Sequence, residues 1–175
     1  KELMLEKPIL KNIQRRQPTM LNNDVLHELG TNFIEYAVAV NTDRAIPNAT
    51  DGLKPVAKRI LYGAYDCGFK NDKPHVKCAN IVGNVMADWH PHGDSSIYGA
   101  LIRLSQNWVM RYPLIDFHGA NGNIGGDPPA AQRYTEARLA KITEEGMLSS
   151  IKKNSVDFIP NYSETKQEPV ELPSI

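Results

Sequence analysis

Cysteine is nearly missing from this 175-residue chain: Cys67 and Cys78 are the two present. Two thiols cannot staple a small extracellular scaffold, so stability must come from a packed core, and a reducing cytoplasm is the expected setting. Long apolar runs are lacking as well. No stretch approaches the roughly 18 residues of a membrane-spanning helix, and no secretory leader is read at the start. Charge of one sign is not in excess, because 20 Lys+Arg face 20 Asp+Glu. That balance excludes a disordered acidic or basic tail. Repeats and low-complexity tracts are absent, and so is G-x-x-x-x-G-K-[ST], the pattern that cradles nucleotide phosphates. What remains is 41% hydrophobic, enough for one core that buries roughly 70% of the unfolded surface. Opening on Lys1 and closing on Pro173-Ser-Ile175, the chain reads as a piece of a longer one.

Hydrophobic spacing sets out mostly helices, so the expected fold class is α+β, mainly α. Residues 1–21 hold Pro8, Pro18 and the pair Arg15-Arg16 and read as an arm; Asn22, Asn23 and Asp24 offer a helix cap. Leu26, Leu29, Phe33, Ala37 and Val40 recur at helical spacing up to about residue 40. Pro55 suits the first turn of a second helix, with Val56, Ile60, Ala64 and Cys67 inward and Gly68 at the exit. A third helix is expected from near Pro74 to Asp88, with Ala79, Val82, Val85 and Met86 inward. After the breakers His90-Pro-His-Gly93, Asp94 or Ser95 can cap a fourth, burying Ile97, Leu101, Leu104 and Trp108. A helix pair with a short glycine-containing turn is a helix-turn-helix candidate, whose leading residues Asp94, Ser95 and Ser96 would meet a DNA groove. Leu114–Phe117 and the glycine-dense 119–126 loop then suggest a hairpin or wing. Thr135–Ser149 reads as a last long helix, Ser155–Ile159 as a strand, and 160–175 as loop.

Net zero hides an asymmetry. Between Arg44 and Lys77, seven cations (Arg44, Lys54, Lys58, Arg59, Lys70, Lys73, Lys77) face three carboxylates, a local +4. Such a patch is either a solvated helix surface or a face for a polyanion. Three clusters could carry chemistry. His90-x-His92 with Asp94 lacks a third ligand at metal-binding spacing. Cys67 and Cys78 read as small core residues. Arg133-Tyr134 could pair a phenol nucleophile with a phosphate-binding guanidinium, although six other tyrosines are present and most tyrosines pack.

Three stretches, 44–61, 90–98 and 127–139, resemble the type IIA DNA topoisomerases, specifically the A subunit of bacterial gyrase and topoisomerase IV. These read Arg44-Ala-Ile-Pro-Asn-Ala-Thr-Asp-Gly-Leu-Lys-Pro, His90-Pro-His-Gly-Asp-Ser-Ser and Asp127-Pro-Pro-Ala-Ala-Gln-Arg-Tyr-Thr-Glu. Asp94-Ser-Ser and Asp127-Pro-Pro lean toward topoisomerase IV. The resemblance covers about residues 24–175. It implies a winged-helix DNA-gate domain over residues 22–150 and the start of a tower domain over 151–175, while the arm at 1–21 resembles nothing in the family. It implies further that Tyr134 is the nucleophile forming a 5′-phosphotyrosyl link, with Arg133 on the phosphate. Arg44, Lys54, Lys58, Arg59, His90 and His92 would hold DNA, with Ser95 and Ser96 leading the recognition helix.

The same resemblance implies partners: duplex DNA, a second copy of the A subunit, and a B subunit in an A2B2 assembly. The B subunit would supply the ATPase and the Toprim domain that holds Mg²⁺ through Asp-x-Asp, a pattern this chain lacks. The fragment alone is therefore expected to be inactive, and the whole enzyme to be cytoplasmic and nucleoid-associated. Ser95 matches a quinolone-contact serine, but Gly99 stands where the acidic partner is usual, which implies weakened drug binding. Thr50 and Ala57 replace the usual arginine and histidine or glutamine. Together with the unplaced arm they point to a phage or plasmid version. Two other classes stay open on the residues: a non-enzymatic winged-helix DNA binder, and a module that binds a partner protein through residues 22–40.

Overall fold

The computed structural model describes residues 25–151 and 155–173; the arm at 1–21 and the cap expected at 22–24 lie outside them. The chain divides into two units, Lys1–Ala37 and Val38–Ile175. Helix α1 spans Val25–Val40. Its Leu29 and Phe33, which recur at helical spacing in the sequence, are exposed.

In the second unit a π-helical turn, Asn41–Ala45, leads toward helix α2, Pro55–Asp66. Pro55 opens α2 as the sequence implies. The exit is a Schellman motif: Gly68 adopts a left-handed φ of 75°, its N–H donates to Tyr65 O, and Phe69 N–H donates to Ala64 O. Ile60, Leu61 and Ala64 are buried, whereas Cys67 is exposed because the helix has ended before it.

Strand β1, Val76–Lys77, precedes helix α3, Cys78–Asp88. The third helix therefore starts four residues later than its spacing suggests, since Val76 and Lys77 are committed to a sheet. Ile81, Val82 and Val85 face inward, but Ala79 and Met86 do not. Helix α4, Asp94–Ser105, is capped by Gly93 without a side-chain bond, so neither Asp94 nor Ser95 serves as the cap. Trp108 lies beyond its end and is 39% exposed.

Strands β2, Ile115–His118, and β3, Glu136–Leu139, complete an antiparallel sheet in the order β1-β3-β2. Phe117 pairs with Ala137, and Val76 lies on the other side of Ala137. The long helix expected from Thr135 is thus replaced by a central strand and a π-helical turn, Thr143–Leu148. Glu-Ala-Arg-Leu favours helix locally. Pairing on both edges and burial of Ala137 and Leu139 on one face override it. A second sheet joins β4, Phe158–Pro160, to β5, Gln167–Pro169, in the stretch expected to be loop.

Trp89 meets Tyr62 edge-on at 5.2 Å in a core shared by α2, α3 and α4. Ile151 and Leu172 are buried in that same core, which therefore runs on past residue 150. The molecule is mixed, mainly helical, as the sequence implies. Among the described residues, no helix is long and apolar enough to cross a membrane.

Candidate functional site

Backbone geometry after α3 creates a cavity. Trp89 and His90 both donate N–H to Val85 O, Pro91 prevents helical continuation, and α4 restarts at Asp94. The result is a space of about 410 Å³ lined by Asp43, Arg44, Val56, His90, His92, Gly93, Ser95 and Ser96. Five residues that stand out in the sequence (Arg44, His90, His92, Ser95 and Ser96) thus share one wall. Asp43 does not stand out there; nothing but its place beside Arg44 marks it.

His90 is buried, 7% exposed, and its ring meets His92 at 4.4 Å. Burial, then the neighbouring His92, Arg59 and Arg44, lower its pKa from 6.5 to about 4. It is therefore a neutral imidazole at physiological pH. Arg59 Nη1 lies 3.1 Å from His90 Nδ1.

The local +4 does not become one open cationic face. Arg59 forms a bidentate pair with Glu168, at 2.8 Å and 2.7 Å. Lys58 Nζ donates to Val170 O, and burial lowers its pKa. Lys70 faces Glu144, Lys73 faces Asp72 and Lys77 faces Glu136. Lys54 instead lines a neighbouring groove with Ser95, Ser96, Gly99 and Arg103. Five of the seven cations thus face acceptors of the chain itself, two of them in the segment 167–172, a role no charge count reveals.

Arg133 and Tyr134 occupy the turn before β3. Tyr134 is 66% exposed, and the Arg133 guanidinium lies 4.8 Å from the centre of its ring. The turn is rigidly held. Cys78 and Ala79, the first amides of α3, donate to Thr135 O and Gln132 O, so groups that a helix start leaves open are used to fix it. Tyr98 of α4 bonds both Ala130 O and Thr135 Oγ1. Gln132 Nε2 donates to Asp94 Oδ2 at 2.8 Å, tying the turn to the residue beside the cavity-lining Ser95. An exposed phenol with an adjacent guanidinium on an anchored turn can be offered to an external electrophile. Among the described residues, no three His, Cys, Asp or Glu side chains converge to hold a metal ion.

Comparison with known proteins adds an independent finding. The profile of the family described as the A subunit of DNA gyrase/topoisomerase IV matches residues 44–175. The DNA gyrase A subunit of Metamycoplasma arthritidis is 54% identical over 151 residues, 86% of this chain and 17% of that protein. That of Streptococcus pneumoniae is 52% identical over 155 residues, 89% and 19% of the two chains. The DNA topoisomerase 4 A subunit of Bacillus subtilis is 51% identical over 160 residues, 91% and 20%. Identity this even does not separate the two names, so the lean toward topoisomerase IV gains no support. The chain spans about a fifth of the length of these relatives.

Proposed function

This chain belongs to the family of DNA gyrase and topoisomerase IV A subunits, and from that premise we propose that it forms part of the DNA gate of a type IIA topoisomerase. In this reading the helix pair α3–α4 with the three-stranded sheet acts as a winged helix on duplex DNA. Arg44, Lys54, His92, Ser95 and Ser96 receive backbone phosphates, and Arg133 steadies the phosphate under attack.

Tyr134 Oη attacks a backbone phosphorus and the bond to O3′ breaks. A 5′-phosphotyrosyl ester forms and a 3′-hydroxyl leaves, which takes up a proton while the phenol loses one. Resealing runs the same exchange backwards, so no high-energy bond is spent at this step. Charge grows on the phosphoryl oxygens, where a guanidinium fork gives most. Among the described residues no carboxylates converge to hold a divalent ion, and the sequence has no Asp-x-Asp. In this proposal Mg²⁺ and ATP belong to a B subunit, with two copies of each chain in the assembly.

The observation that carries the reading is the exposed Tyr134 beside Arg133 on a turn anchored to α3 and α4. The test is Tyr134→Phe in the full-length chain, assembled with its partner and offered supercoiled DNA. Covalent protein–DNA adducts should vanish while duplex binding stays within about twofold, because the ring and its cation are kept. Adducts that persist would show that another group is the nucleophile.

A further inference from the structure

Glu168 is buried in β5, far in sequence from every residue that resemblance assigns to the site. The residue is 4% exposed, and its carboxylate takes two hydrogen bonds from Arg59, Nε to Oε2 and Nη2 to Oε1. A guanidinium held by one edge in this way has its remaining donors aimed in fixed directions. One of them, Nη1, meets His90 Nδ1 at 3.1 Å. Arginine carries donors only and does not deprotonate in proteins. His90 Nδ1 must therefore be the acceptor, which leaves the ring proton on Nε2.

We infer that Glu168 is a positioning residue: by clamping Arg59 it fixes His90 as the Nε2–H tautomer on the wall of the cavity shared with Arg44, His92, Ser95 and Ser96. The role at DNA rests on the DNA-gate reading above. An imidazole so fixed offers a phosphate oxygen a neutral donor. Random tautomers would present a lone pair part of the time, and a lone pair repels the phosphate. Protonating Nδ1 would set N–H against N–H, in keeping with a ring that titrates only near pH 4. The charged and titratable groups facing His90 are Arg59 from α2, Arg44 and Asp43 from the turn after α1, and His92 from the loop before α4; Glu168 stands behind Arg59.

The clamp also has a consequence for the fold's organisation. Lys58, adjacent to Arg59, donates to Val170 O, and Asp51 accepts from Leu172 N–H. The 168–172 segment therefore grips α2 and the loop before it at several points, and Glu168 is the one that acts on the imidazole, through Arg59.

The test uses the ¹⁵N-histidine-labelled full-length chain, with His90 assigned from the His90→Gln spectrum. Glu168→Gln keeps the volume but replaces one acceptor with a donor. Arg59→Lys keeps the charge but removes the fork, and serves if the first variant folds poorly. Wild type should show His90 Nε2–H almost exclusively. In either variant the Nε2–H to Nδ1–H ratio should fall about tenfold, as losing one charge-assisted hydrogen bond does. Adduct formation with the partner subunit should fall by a similar factor and acquire a histidine-like titration between pH 4 and 6.5. An unchanged tautomer ratio in both variants overturns the proposal, and so does an unchanged adduct yield. Failure of the DNA-gate reading looks different: Tyr134→Phe then keeps its adducts with the wild-type tautomer intact, and the role given to His90 at DNA falls with it.

Discussion

His90 shows how one residue's surroundings decide its chemistry. The folded ring binds a proton only near pH 4, whereas an unfolded one does so near 6.5. Below 6.5 the unfolded chain takes up the proton first, so protonation favours unfolding. The stability this group confers is complete above pH 6.5 and is lost as pH falls toward 4, by up to about 3 kcal/mol. Chemical denaturation between pH 7 and 4 should show that slope, and His90→Gln should flatten it. Asp116 acts lower on the scale. Its burial is outweighed by the Arg138 hydrogen bond and by His75, so its pKa is lowered and its contribution fades only in stronger acid.

Two glycines in helices α2 and α4 make opposite predictions at the scale of elements. Gly63 sits where α2 meets the end of α3. A Cβ there would lie 2.9 Å from Trp89 Cδ1 and 3.2 Å from Val85 Cγ2. Trp89 is fully buried and cannot retreat, so Gly63→Ala should cost about 1–3 kcal/mol despite alanine's better helix propensity. Gly99 on α4 has open space around its Cβ position, and Gly99→Ala should add about 0.5–1 kcal/mol. Thermal melts of the two variants moving the same way would mean that helix contacts are misjudged. Element boundaries also account for most differences between sequence expectation and structure. Pro55 and Gly68 mark α2 because their constraints are local, an absent N–H and a positive φ. Thr135–Leu139 reads as helix from sequence because its strand partners, Val76 and Phe117, are remote along the chain.

At the scale of the whole molecule, some basic side chains among the described residues bind the fold together and others line its open grooves. Lys54 belongs to the second group and Arg59 to the first. Lys54→Gln should lower the slope of log K against log salt for duplex binding by about one, with no change in melting temperature. Arg59→Gln should instead lower stability by about 3–5 kcal/mol, since it strands the buried Glu168 carboxylate. Binding titrations at several salt concentrations, set beside thermal melts, separate the two. Equal effects on both measurements would erase the distinction.

The sequence by itself determined the family, through motifs around Arg44, His90 and Tyr134 whose residue types and order are read without a structure. It also determined helix α2, because an N-terminal proline, apolar periodicity and a C-terminal glycine act over a few residues. Only the tertiary structure decided that Trp108 and Met86 lie outside the core and that 136–139 is a strand. It alone shows five cations to be engaged by acceptors. Glu168 is the sharpest case. A lone glutamate before a proline carries no periodic or motif signal, and its meaning comes from packing against Arg59, 109 positions earlier in the chain. Long-range pairing is the part of the energy that local spacing does not encode.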